Sequence, residues 1–401
     1  MLWDAIFLQL GYNATLVTIG ACFLGIAAGV TGTFLFLRKR ALVSDAISHA
    51  TLPGVALAFI VMVAIGSDGR NLAGLLLGSA LSAWIGLLCV GWLTRQTRLA
   101  EDAAIGAVLS VFFGFGIVLL TVIQSMSSGR QAGLEGFLLG STAGMLWNDA
   151  LLILIGGAAT LAAVLAFRRP MELVAFDPEF AAASGLNVPR IDLIIMCLAM
   201  AVTVVGLKIV GLILIVAMLI IPPVTARFWT ERTDHVVLIS GTVGGLASYL
   251  GAALSATAPA LPTGPIIVLV SFVFFALSLL FAPNRGVLAA VLRHRRFQNR
   301  VHLRQGLLAL AQGQPIYEKL TLRLLTRAGL ARPDGVATDA GRARAAKALR
   351  DEKRWEIVRA DHAFEGAAAL YDGLREIETV LTADQIQEID ARMGGPKGVS
   401  A

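Results

Sequence analysis

Nine stretches of this chain are apolar over most or all of the roughly 20 residues that a helix needs to cross a bilayer: 13–37, 44–65, 73–93, 103–123, 148–167, 191–206, 209–221, 235–256 and 264–281. Inside lipid the backbone must satisfy its own hydrogen bonds, so a chain of this pattern folds as a bundle of helices. With 57% hydrophobic and 15% charged residues it lies well outside the composition of soluble domains, which are about 45–50% apolar. The expected fold class is all-α, a polytopic transmembrane helical bundle of about nine spans. The sixth and seventh stretches are short, with a turn expected at Gly206-Leu207-Lys208 and an end at Pro222-Pro223. Merging them into one bent helix would give eight.

Charge divides the chain in two. Residues 1–284 carry 13 Lys+Arg and 13 Asp+Glu, while residues 285–401 carry 20 and 14, which accounts for the whole net charge of +6. The reading is a membrane domain over 1–284 followed by a basic, soluble, cytoplasmic helical domain over 285–401. With the N-terminus outside, the inner loops collect Arg38, Lys39, Arg40, Arg95, Arg98, Arg168, Arg169, Arg190, Arg227 and Arg232, and the outer loops only Arg70, Arg130 and Lys208. Ten against three sets the orientation by the excess of Lys and Arg on the cytoplasmic side. The tail is then inside too. Met1-Leu2-Trp3-Asp4 lacks the basic region of a cleaved signal, so the first span is expected to stay. Cys22, Cys89 and Cys197 stand singly in apolar segments and suggest neither disulfide nor thiolate site. Residues 134–145, broken by Gly136, Gly140 and Gly144, are too short to cross and suit a re-entrant helix or a buried loop helix.

Few acids or imidazoles enter the spans, and those that do are functional candidates by default. Asp45 and His49 open the second span four residues apart, on one helical face. They are read as contacts for a divalent metal in transit, or else as a helix cap and a packing residue. Glu101 and Asp102 start the fourth span at the same depth, as further metal contacts or as acids favoured by the helix dipole. In the loop 168–190, Asp177 is a good N-cap, Pro178 suits the first helical position, and Glu179 and Phe180 follow before Gly185 stops the helix. This short helix is a docking element for a soluble partner or an interfacial connector.

These motifs, S-D-A-I-S-H-A-T-L-P-G over 44–54, E-D-A-A-I-G over 101–106, the helix within 176–185 and V-G-L-I-L-I-V-A-M-L-I-I-P-P-V-T-A-R-F from Val210, resemble the permease subunits of ABC importers for manganese, zinc and iron. The resemblance covers roughly residues 10–284. It implies a homodimeric permease in the bacterial inner membrane, a cytoplasmic ATP-binding subunit on each copy, and an extracytoplasmic metal-binding protein that delivers the ion. It further implies that Asp45 and His49 face the path and that Asp177, Pro178, Glu179, Phe180 and Gly185 form the coupling helix. Oxygen and imidazole donors suit Mn²⁺, Fe²⁺ or Zn²⁺, carried as substrate with no resident cofactor. The chain contains no G-x-x-x-x-G-K-[ST], so it is expected to be no enzyme and to draw its energy from a partner's ATP. The rival readings are an ATP-independent secondary transporter and a membrane-tethered regulator.

The tail shows helical apolar spacing over 307–310, 320–330 and 340–359 with a turn at Arg332-Pro333-Asp334-Gly335, the outline of a winged helix. T-D-A-G-R at 338–342, L-R-D-E-K-R-W-E at 349–356, L-T-A-D-Q at 381–385 and M-G-G-P at 393–396 are similar to metal-dependent transcriptional repressors of the iron and manganese class. Where those carry two metal-binding histidines and several acids, this chain reads Tyr371, Asp372, Arg375, Glu376, Glu378 and Thr379, without histidine. His362, near Asp361 and Glu365, is read as surface. The segment presumed to recognise DNA has two basic residues, Arg323 and Arg327. An interaction or regulatory module is expected, with anionic membrane lipid as a contact and nucleic acid not.

Overall fold

The computed structural model describes residues 2–9, 11–67, 69, 71–126, 147–258 and 261–394. Among them there is no strand, only one isolated antiparallel bridge between Ala331 and Ala337. The chain divides into two compact units, Met1–Val287 and Leu288–Ala401.

The first unit opens with the short α1 (Leu2–Ile6) and continues through α2 (Tyr12–Leu37), α3 (Ala41–Ala64), α4 (Leu72–Gln96) and α5 (Glu101–Ser125). Then come α6 (Trp147–Phe176), α7 (Pro178–Ala183), α8 (Val188–Val210), α9 (Leu212–Trp229), α10 (Thr233–Ser255) and α11 (Thr263–Phe281). Eight of these are long and apolar enough to cross a membrane: α2 to α6, α8, α10 and α11. Apolar Ile215–Trp229, within α9, is shorter. The re-entrant segment expected over 134–145 lies outside the described residues.

Three boundaries differ from the sequence reading. The turn expected at Gly206-Leu207-Lys208 falls instead at Gly211, whose φ of +79° is a left-handed conformation open to glycine. Around it α8 and α9 form a tight antiparallel hairpin, in which a Cβ on Gly206 would lie 2.6 Å from Ile215 Cδ1. Nor does α9 end at Pro222-Pro223; it runs through both to Trp229. A proline costs the helix the bond to the carbonyl four residues back. The carbonyl that Pro223 leaves free, that of Leu219, packs onto the Cα of Gly32, where a Cβ would approach it to 2.0 Å. Helix α6 likewise passes Arg168, Arg169 and Pro170 to reach Phe176, held by the fully buried Met171 and Val174, so the loop after it is shorter than expected.

The most extensive packing joins α2 and α10. A Cβ on Gly25 would sit 2.3 Å from the Gly244 carbonyl oxygen, and one on Gly29 2.4 Å from that of Ser240. Ser240 Oγ donates to the Gly29 carbonyl at 2.6 Å. Small residues one helical turn apart let two backbones touch, which is how helices associate in lipid, where no hydrophobic drive exists between them.

Polar bonds tie the helix ends together at one face of the bundle. Arg168 bonds Asp234, Arg285 bonds Glu231, and Trp229 Nε1 donates to Ser278 Oγ at 2.9 Å. At the opposite face Tyr249 Oη donates to the Ile6 carbonyl at 2.5 Å.

The second unit holds α12 (Val287–Ala311, which begins one residue earlier), α13 (Lys319–Arg327), α14 (Asp339–Ala360), α15 (Glu365–Ala368) and α16 (Ala383–Gly394). Thr338 caps α14 by accepting from Gly341 N at 3.1 Å, just after the tight turn at Gly335. Leu307, Leu325, Leu330, Ala331 and Ala345 form one small core, and Trp355, Val358, Phe364, Ile377, Leu381 and Ile389 another.

Gly29→Leu is expected to force α2 and α10 apart and to destabilise the first unit by about 3 kcal/mol or more, since overpacking costs about 1–3 kcal/mol even where the obstacle is a movable side chain. The thermal midpoint of the detergent-solubilised chain checks this, against an unchanged midpoint for Gly91→Leu, which has open space at its Cβ.

Candidate functional site

Helix α3 carries polar groups on two faces with different fates. Ser44, Ser48 and Thr51 are buried, and each hydroxyl donates to a backbone carbonyl three residues back, those of Ala41, Asp45 and Ser48. They are satisfied within their own helix and carry no further donor-acceptor demand. Asp45 and His49 are placed differently. His49 Nε2 lies 3.5 Å from Asp45 Oδ1, and their side chains are 19% and 37% exposed respectively. The imidazole meets the edge of Phe113 on α5, with ring centroids 5.0 Å apart. Its Nδ1 is buried without a hydrogen-bond partner. Pro53, one turn on in the same helix, has no N–H for the His49 carbonyl. One carboxylate and one imidazole with unspent donor capacity therefore stand about 6 and 12 Å along a helix that begins at Ala41.

Glu101 and Asp102 open α5. Glu101 is engaged by Arg40, whose Nε lies 3.0 Å from its Oε1, while Asp102 is exposed. Among the described residues no group of three or more His, Cys, Asp or Glu side chains gathers at one place. A single chain thus offers the Asp45–His49 pair as two ligands.

Next to that pair lies a polar junction that the sequence reading did not single out. Arg38 Nη2 donates to Asp192 Oδ2 at 2.8 Å, and its Nη1 to the Val174 carbonyl at 2.9 Å. Arg40 Nη1 lies 3.4 Å from the same Asp192 oxygen. Arg38 Nε and Asp192 Oδ1 are buried and unpaired. Val174 precedes α7 and Asp192 follows it, so Arg38 holds both roots of the loop that carries this short helix. Arg40 then links Asp192 to the foot of α5, and α3 begins at the next residue. The available signal was a lone acid at the start of an apolar span, opposite an arginine counted only for topology.

The α7 helix has the expected caps. Asp177 Oδ1 accepts from Phe180 N at 2.9 Å, Pro178 takes the first helical position, and Gly185 turns the chain at φ +86°. Ala181 is buried beneath it, whereas Glu179 and the side chains of Phe176 and Phe180, 57% and 58% exposed, face away.

In the second unit, the positions that match repressor ligands are occupied by structural contacts. Tyr371 packs on Trp355, lies under Arg359 at 4.5 Å, and donates to Glu352 at 2.9 Å. Asp372 accepts from the backbone of Leu374 and Arg375, the Arg375 carbonyl accepts from Trp355 Nε1, and Glu376 and Glu378 pair with Lys347. Burial pushes the Glu352 carboxyl up, but hydrogen bonds from Arg304 and Tyr371 outweigh it and hold it below its ordinary range. The two-pronged hydrogen bond from Arg354 lowers Asp390, and the Leu374 amide lowers Asp372. Burial raises Asp351.

The sequence of the ABC 3 transport family matches residues 12–282. The manganese transport system membrane protein MntC of Bacillus subtilis is 39% identical over 80% of this chain and 72% of its own length. That match of 322 residues cannot fit within the first 287, so it reaches into the tail. The zinc transport system membrane protein TroC of Treponema pallidum is 38% identical over 71% of this chain and 94% of its own. Among solved structures, PsaBC from Streptococcus pneumoniae in complex with Fab superposes with a TM-score of 0.62 at 32% identity, covering 71% of this chain and 98% of that one.

Two outcomes follow from these contacts. Removing one member of a buried ion pair costs about 3–5 kcal/mol, so Asp192→Ala, which strands Arg38, is expected to lower the thermal midpoint markedly, and Glu101→Ala, on a half-exposed pair, by little. In the tail, carboxyls held low stabilise the fold above their unfolded values near 4 and lose that contribution as pH falls through the folded ones. Asp351, held high, contributes only below that value. With Glu352, Asp372 and Asp390 set against Asp351, protease resistance of residues 339–394 in the full chain should hold from about pH 7 to 5 and fall below about pH 4. Rising resistance there would contradict the assignment.

Proposed function

This chain belongs to the ABC 3 transport family, and on that premise we propose that it is the membrane-spanning permease subunit of an ATP-binding-cassette importer that moves a divalent transition metal into the cytoplasm. It lacks a nucleotide-binding motif of its own, so a separate ATP-binding subunit hydrolyses the fuel. The relatives named for manganese and zinc make those two ions the first candidates. Fe²⁺ suits the same oxygen and imidazole donors.

The observation that carries the reading is the Asp45–His49 pair, with its buried, unpaired Nδ1, on a helix that crosses the membrane. An ionisable pair at such a position faces a path or cavity. Two ligands hold a transition metal weakly, so we assign the second half of the site to a second copy of the chain. The ion then crosses between two permeases, gripped by two carboxylates and two imidazoles. Such a set releases its cargo more readily than a closed thiolate site would. Glu101 and Asp102 stand at the cytoplasmic foot of the path, where their charge draws the departing cation. The metal is delivered by an extracytoplasmic binding protein.

The coupling route is built from the same residues. With the arginine-rich face in the cytoplasm, α7 and the end of α6 offer Glu179, Phe180 and Phe176 to a groove of the ATPase. Movement of α7 shifts its roots at Val174 and Asp192. Arg38 and Arg40 carry that shift to the first turn of α3, and α3 carries it to Asp45 and His49. The half-satisfied junction suits this role, since Arg38 Nε and Asp192 Oδ1 can find partners in a second arrangement. The tail, with its helices α12 to α16, acts as an interaction or regulatory module on the cytoplasmic side.

Uptake of manganese and zinc by vesicles holding permease and ATP-binding subunit tests this. Asp45→Ala and His49→Ala are each expected to cut uptake at least tenfold while the ATP-binding subunit stays bound. Deleting residues 177–185 should release that subunit. Wild-type uptake unchanged by all three variants would end the reading.

A further inference from the structure

Among the described residues, the first four turns of the helix that follows α11 are largely exposed. From Ala282 to Tyr317 the sequence holds six arginines and no acid. Two of the six are engaged, Arg285 by Glu231 and Arg304 by Glu352. The others, Arg293, Arg295, Arg296 and Arg300, are exposed, and none has an ion pair among the described residues. Ahead of them α12 starts with V-L-A-A-V-L, of which Val287, Leu288, Val291 and Leu292 are 46, 49, 41 and 45% exposed. Four apolar side chains bare to water in the first two turns of a lone helix are not a stable arrangement.

Position and spacing say what covers them. Only residues 282–286 separate Phe281, the end of α11, from Val287. At about 3.5 Å per residue this tether keeps the first turn of α12 within about 20 Å of the membrane face where α11 ends. The Gly286 amide also bonds back to the Ala282 carbonyl at 2.9 Å, which shortens it further. The six apolar residues rise about 9 Å, close to the roughly 5–10 Å to which interfacial segments bury their apolar side chains. The arginines then begin, and at about 100° per residue Arg293, Arg296 and Arg300 fall within about 60° of one another, with Arg295 on nearly the opposite side. Three of the four therefore line one side of the helix, turned away from Leu288 and Val291.

We propose that the start of α12 binds the surface of anionic lipid: residues 287–292 enter the headgroup layer, and Arg293, Arg295, Arg296 and Arg300 reach lipid phosphates beside it. This deepens the lipid contact of the tail and depends on the chain spanning a membrane, not on what it transports.

The test is hydrogen exchange of residues 287–300 in the full-length chain, in nanodiscs of phosphatidylcholine alone and of phosphatidylcholine with added phosphatidylglycerol. Slower exchange in the anionic discs is expected, and high salt should erase the difference. Native mass spectrometry of the same samples counts bound phosphatidylglycerol. Changing Arg293, Arg295 and Arg296 to Gln should weaken its retention by about fivefold per arginine, and changing them to Lys should preserve most of it. Equal exchange in both lipids overturns the proposal. So does protection that comes only on adding the ATP-binding subunit, whatever the lipid, because the surface is then a protein contact. A wild-type chain that moves no metal would sink the transport reading and leave this result standing.

Discussion

A charge on a helix that crosses lipid is tolerated only when it is paired, turned toward a water-filled path, or carried to the headgroup layer. The architecture follows from how this chain divides its charges among those places. Pairing accounts for Arg38 and Arg40 with Asp192 and Glu101, Arg168 with Asp234, and Arg285 with Glu231, all at one face of the bundle. On the proposed reading the path takes Asp45 and His49, and the headgroup layer takes the arginines of α12.

Rigidity and mobility are distributed accordingly. Where Gly25, Gly29 and Gly244 bring α2 and α10 into backbone contact, a shift of either helix meets carbonyl oxygens within bonding distance, so the two move together. The foot of α3 is held differently, by polar contacts through Arg38 and Arg40 that include unspent donors and acceptors. Ionic contacts of that kind can be exchanged for others at small cost, while interdigitated backbones cannot. On the proposed coupling route, a push on α7 reaches α3 before it reaches the centre of the bundle.

Much of this was legible in the sequence because lipid makes simple demands. Apolar length located the crossings, and D-P at 177–178 with Gly185 located α7 and its caps, since capping chemistry is local. The break at Gly211 was missed because Gly206 and Gly211 look alike in a row of apolar residues; only the left-handed backbone at Gly211 separates them. The run of α9 through two prolines was hidden because the compensation for Pro223 comes from Gly32, nearly two hundred residues earlier. The Arg38–Asp192 junction was illegible for the same reason, joining residues 154 apart. In the tail, the positions singled out by the resemblance to repressors are held by protein contacts of Tyr371, Asp372 and the Lys347 pairs, which no local motif shows.

The account turns on one ion being shared by two copies of the chain. Equilibrium binding of radioactive manganese and zinc to the nucleotide-free assembly, counted per permease chain, addresses that directly. The predicted result is one ion for every two chains, lost when His49→Ala is present in only one copy of a covalently linked pair. One ion per chain, or a count indifferent to that substitution, would contradict it.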